Sequence, residues 1–130
     1  MNVRTPYSRV SIEADIDSLE DSRQATAALL RALRDRLTPE EADQAAAQLP
    51  KELKRLWASG RPPFSRPLKL HRRQFLERVR IDAGLKSLSQ AEIVTDAVFA
   101  ALKEQLLSAG EASDFVAQLP RDLKSQWAQA

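Results

Sequence analysis

Ala47-Gln48-Leu49-Pro50-Lys51-Glu52-Leu53-Lys54-Arg55-Leu56-Trp57-Ala58 returns 70 residues later as Ala117-Gln118-Leu119-Pro120-Arg121-Asp122-Leu123-Lys124-Ser125-Gln126-Trp127-Ala128. Eight of the twelve positions are identical, and they include both tryptophans of the chain. Proline has no N–H and clashes with a preceding helical turn, so one helix ends near Leu49 and Leu119. The same proline can take the first position of the next helix. Glu52 and Asp122 then lie in a first turn, where the helix dipole favours an acid. Leu53, Leu56 and Trp57 follow at i, i+3, i+4, the spacing of a buried helical face. Gln126 replaces Leu56 in the second copy, which predicts a wetter surface there.

Working outward, Glu41-Ala42 matches Glu111-Ala112 at the same offset. One extra residue enters near Leu107, and the offset becomes 69. Ala32-Leu33 then matches Ala101-Leu102, Thr26 matches Thr95, Ser18-Leu19 matches Ser87-Leu88, Ile12 matches Ile81, and Arg9-Val10 matches Arg78-Val79. The sequence reads as a tandem duplication, with repeats over 6–58 and 75–128 and a connector over 59–72, inside a single domain of residues 1–130.

The predicted fold is all-α, two four-helix units packed side by side as one compact helical domain. The first unit has helices near 7–14, 20–37, 39–48 and 50–58. The second has them near 73–83, 90–107, 109–118 and 120–128. Ala25, Ala28, Leu29, Ala32, Leu33 and Leu37 form an apolar stripe on the long helix of the first unit, and Val94, Ala97, Val98, Ala101, Leu102 and Leu106 do so in the second. Thr38-Pro39-Glu40-Glu41 and Ser89-Gln90-Ala91-Glu92 are capping-box patterns that predict helix starts. Gly84 predicts a helix end. On the inward face of the third helix, Ala45 stands opposite Phe115 of the other copy. That is the largest size change between the halves, so their cores cannot pack identically.

Composition narrows the chemistry. There is no cysteine, which excludes disulfides, thiol nucleophiles and zinc–thiolate sites. No apolar run reaches the length of a membrane span. Glu13, Asp15 and Asp17 break any signal-peptide pattern in the opening residues, so a cytoplasmic location is expected. The formal net charge of +2 conceals a segregation: residues 51–80 sum to +8, between acidic stretches of −5 over 11–50 and −3 over 81–130.

His71, the one histidine, sits among Lys69, Arg72 and Arg73, whose charge repels a metal ion. Glu40, Glu41 and Asp43 cluster at a helix start, where acids answer the dipole. No phosphate loop, zinc-protease or serine-hydrolase motif is present. The expectation is a protein that is not an enzyme and binds no cofactor or metal. Pro62-Pro63-Phe64-Ser65-Arg66-Pro67 reads as a spacer. The basic segment is the feature above background: Lys54, Arg55, Arg61, Arg66, Lys69, Arg72 and Arg73 form a possible anion-binding set. Against it stands a simpler reading, in which these cations answer the chain's own acidic surfaces.

Phe75-Leu76, Val79, Gly84-Leu85, Leu102, Glu111-Ala112 and Gln118-Leu119-Pro120, with Leu33, Leu37, Glu41-Ala42 and Gln48-Leu49-Pro50 in the first half, form a pattern. It resembles the bacterial DUF2267 family, a domain of unknown function. The resemblance spans nearly the whole chain and departs at Pro6-Tyr7, where Phe-Leu would stand. It implies an all-helical duplication, and it carries over no catalytic residue, cofactor or partner. The functional expectation is a non-catalytic protein-interaction module, monomeric or weakly dimeric. The alternative is nucleic-acid or polyanion binding through residues 51–80.

Overall fold

Two long helices form the centre of the molecule, because each carries a broad apolar stripe that its neighbours bury. In the computed structural model, which describes residues 6–59, 71–109, 112–117 and 119–130, these are α2 (Leu19–Asp35) and α6 (Leu88–Ala109). Around them lie α1 (Pro6–Glu13), α3 (Pro39–Gln48), α4 (Lys51–Ala58), α5 (Arg72–Ala83), α7 (Ala112–Ala117) and α8 (Arg121–Gln129). Among the described residues there is no strand. Ala25, Ala28, Leu29 and Leu33 of α2, and Val94, Ala97, Val98 and Leu102 of α6, are fully buried. Among the described residues Phe75, Phe99 and Phe115 are the largest side chains buried completely.

The two sequence halves interlock rather than lie side by side. Helix α1 packs on α2 and on α6 of the other half, while α5 packs on α6 and on α2; α2 also meets α6, and α3 meets α7. A short helix such as α1, with 8 residues, is marginal alone. Lodging each such helix between two long ones buries faces that one unit would leave wet.

Positions matched in the sequence take matching roles. Asp15 (φ 54°) and Gly84 (φ 68°) are both left-handed residues after a helix. Gly84 pays nothing for this, whereas Asp15 is one of the few residue types with a side chain that tolerates it. Thr26 and Thr95 each donate a hydroxyl hydrogen bond one turn back, to Ser22 O and Ala91 O. Arg78 pairs with Asp35 at 3.3 Å, and Arg9 pairs with Glu104 at 2.8 Å, both across the halves. The hydrogen bond to Glu104 holds the Arg9 guanidinium pKa above its ordinary value.

Several helix ends differ from expectation. Ser87 caps α6 in place of Ser89: its hydroxyl accepts from Gln90 N–H at 3.1 Å while the Gln90 amide oxygen accepts from Lys86 N–H at 3.0 Å. Helix α6 therefore begins at Leu88, and it runs on to Ala109 where a new helix is predicted. Pro50 and Pro120 sit at the N-cap, not the first helical position, with extended ψ of 153° in both. Their carbonyls accept from Lys54 and Lys124 N–H, which starts the next helix at once. The predicted wet surface at Gln126 is absent. Gln126 is buried, and its side-chain nitrogen donates to Asp96 at 3.0 Å. The amide nitrogen keeps a polar partner there, while the amide oxygen is buried without one.

Candidate functional site

The basic set expected from the sequence is only partly placed. Lys54 and Arg55 are exposed on α4, and Arg72 and Arg73 are exposed in the first turn of α5. Arg61, Arg66 and Lys69, like the Pro62–Pro67 spacer, lie outside the described residues. Arg72 pairs with Glu92 at 2.8 Å, Arg78 with Asp35, and Arg80 with Glu77. Much of the described basic charge is thus answered within the chain. His71 is exposed at the start of α5, where its backbone N–H donates to Gln74 Oε1 at 2.9 Å. Glu41 closes the capping box with Thr38, accepting from its N–H at 2.9 Å.

The structure instead presents an apolar groove between α3 and α4. Its volume is about 430 Å³. Leu37, Pro39, Ala42, Ala46, Ala47, Trp57 and Ala58 supply apolar walls, and Arg34, Asp43 and Lys54 supply the polar atoms. Three alanines on one helix make the recess, since a methyl group cannot span the distance that a leucine or phenylalanine would fill. The floor is held firmly. Arg34 is buried and donates to Trp57 O at 2.7 Å, while Arg31 donates to Ser59 Oγ at 3.0 Å. Both guanidinium groups thereby reach the carboxyl end of α4, where a cation is favoured. Trp57 is only 5% exposed, so its ring forms the wall of the groove without projecting from it.

The matching corner in the second half is built differently. Phe115 is fully buried beside Trp127, with ring centroids 5.4 Å apart, and Phe99 stands 5.3 Å from the same Trp. The positions that correspond to these rings are Ala45 and Leu30. Lys103 takes the place of Arg34 and donates to Trp127 O at 3.1 Å.

A second, polar recess of about 290 Å³ lies where the α1–α2 and α5–α6 loops meet, among Asp15, Asp17, Asp21, Lys86 and Gln90. Gln90 Nε2 donates across it to Ala14 O at 3.2 Å. Among the described residues no group of three acidic or histidine side chains is placed to hold a metal ion. No described helix is long and apolar enough to cross a membrane.

Sequence reasoning did not find the groove. Its signal was present in the small side chains of Ala42, Ala46 and Ala47, yet small side chains on a helix face read equally well as close packing. Comparison with curated proteins returns no match. The model of the DUF2267 family, described as an uncharacterized conserved protein, matches residues 5–126. That match takes in all four helices of the first half, both prolines of the recurring stretch and α8 as far as Gln126, so the chain belongs to the DUF2267 family.

Proposed function

We propose that this protein is a non-catalytic helical interaction module, and that it docks a partner protein in the groove between α3 and α4. The observation that supports this reading is the groove itself: an apolar recess with an acid on one wall, Asp43, and a base on the other, Lys54. Recesses of this size, mostly apolar with a few placed polar groups, are the usual form of binding sites. We further read the chain as a tandem duplication, on the strength of the matched caps, the matched cross-half ion pairs and the twelve-residue recurrence. In that reading the second corner keeps the scaffold closed while the first is free to bind. A cytoplasmic protein, monomeric or weakly dimeric, fits this role.

The test compares the wild-type chain with Ala47→Phe, a change at an exposed position lining the groove. Each is immobilised and exposed to extract of the host cell, after circular dichroism has verified equal helicity. A protein captured by the wild type and lost with Ala47→Phe supports the groove as the docking surface. Equal capture by both overturns it. A parallel gel shift with DNA and RNA at low salt addresses the polyanion reading. Retardation that falls steeply with salt, and falls again in an Arg72→Ala/Arg73→Ala variant, would favour the basic segment over the groove.

A further inference from the structure

We infer that the segment docking in the groove is an amphipathic helix of the partner whose apolar face is flanked by cations along one edge and carboxylates along the other. The inference rests on reading the groove as the docking surface, and it names the chemistry of what docks there. Asp43 lines the groove from α3, and Lys54 lines it from α4. Each charge continues about one turn back along its own helix. Glu40 stands three residues before Asp43, and Lys51 three residues before Lys54, so each pair shares a face. All four residues are exposed. The apolar floor thus lies between an acidic edge and a basic edge.

The scaffold does not account for this arrangement. Asp43 is the fifth residue of α3, beyond the first turn in which the helix dipole favours an acid. Among the described residues no ion pair joins the two edges. Elsewhere on the surface opposite charges do meet, as Arg9 with Glu13 and Arg72 with Glu92. The second half keeps the basic edge as Arg121 and Lys124, but Gly110 and Ser113 stand where Glu40 and Asp43 would be. The acidic edge therefore belongs to the first half alone. A docked helix with two edges of one sign would be attracted by one wall and repelled by the other. A helix with opposite edges is attracted by both, and in one direction only, because reversing it exchanges its edges. An apolar stripe between two edges is the surface that an amphipathic helix offers, and a groove between two helices is a common seat for it.

Model peptides test the inference without knowledge of the partner. Three helical peptides share one leucine face and differ only in the positions flanking it: Lys on one edge and Glu on the other, Lys on both, or Glu on both. Each is titrated at low salt into the isotope-labelled full chain, following the Trp57 indole N–H and the amides of Ala42, Asp43 and Lys54. The mixed peptide is expected to bind about tenfold more tightly than either of the others. That preference should shrink to about twofold at 1 M salt, where charges are screened beyond about 3 Å. Lys54→Glu should make the all-Lys peptide the tightest, and Asp43→Lys should do the same for the all-Glu peptide. Both variants change exposed positions, and the salt series on the wild type decides the matter alone should either fail to fold. Equal affinity of the wild type for the three peptides, or a preference that salt leaves unaltered, overturns the two-edged partner and leaves the groove standing as a docking surface. A preference for the mixed peptide that survives both charge reversals overturns it likewise. If no peptide moves α3 or α4 resonances, the two-edged partner and the docking surface fall together.

Discussion

The two tryptophan corners begin from nearly the same twelve residues and end as different objects. At Trp127 two phenylalanine rings pack against the indole; at Trp57 an alanine and a leucine hold the corresponding positions, and a groove lies between α3 and α4. The corner motif, with its proline N-cap, first-turn acid and Leu-Trp face, is common to both. What differs is contributed by the neighbouring helices. A motif that recurs in sequence thus sets how a helix pair turns, while the residues facing it decide whether the turn is filled.

The largest test of this comparison is Phe115→Ala, which removes one of the two rings packed on Trp127 and leaves the residue type found at the matching position, Ala45. Removing a fully buried ring costs the lost transfer energy and the cavity left behind, about 3–5 kcal/mol. Denaturant unfolding should show the drop with the slope unchanged. A cost below about 1 kcal/mol would mean that the second corner collapses freely, and that its rings do not hold it closed.

The matched ion pairs sharpen the comparison next. Asp35 is almost fully buried, at 1% side-chain exposure, between Arg34 and Arg78, whereas Glu104 is 71% exposed opposite Arg9. Asp35→Asn leaves Arg34 buried without the carboxylate charge, and should cost about 3 kcal/mol. Glu104→Gln should cost about 0.5 kcal/mol, because an exposed pair is screened by water. Equal effects in thermal or chemical unfolding would break the claim that burial separates the two.

The smaller contrast concerns Leu56 and Gln126. Gln126 donates to Asp96, and the corresponding residues in the first half are Leu56 and Ala27. Gln126→Leu alone should cost about 1 kcal/mol, by leaving Asp96 without that partner. Adding Asp96→Ala should recover most of it, since the pair then matches the first half. A double-mutant cycle with no coupling would show that the hydrogen bond contributes nothing to stability.

Much of this architecture was legible in the residues. The apolar stripes fall where periodicity places them from Ala25 to Leu33 on α2 and from Val94 to Leu102 on α6, because a helix must bury its apolar face. Thr38-Pro39-Glu40-Glu41 forms the capping box its pattern predicts, and Gly84 ends α5 in the left-handed conformation. Capping of this kind is local, so a few neighbouring residues suffice to specify it. Other local features were ambiguous. Ser87 and Ser89 both offer a cap with an acceptor three residues on, and the fold uses Ser87, with Gln90 Oε1 accepting from Lys86 N–H. Asp15 gave no sign of its left-handed backbone, since an aspartate adopts that conformation only when the surrounding turn demands it.

The groove belongs to a different category. Alanine at 42, 46 and 47 states only that little volume is present; whether a neighbour closes the gap depends on helices distant in sequence. The burial of Gln126 followed the same logic, because Asp96 reaches it from another helix. By itself the sequence determined the helices, their caps and the recurring corner, all of which depend on residues a few positions apart. Only the tertiary structure decided that the halves interlock, which cations meet carboxylates of the chain, and that a groove lies between α3 and α4. Those outcomes depend on volumes and charges brought together across the fold, and no stretch of sequence contains both sides of such a contact.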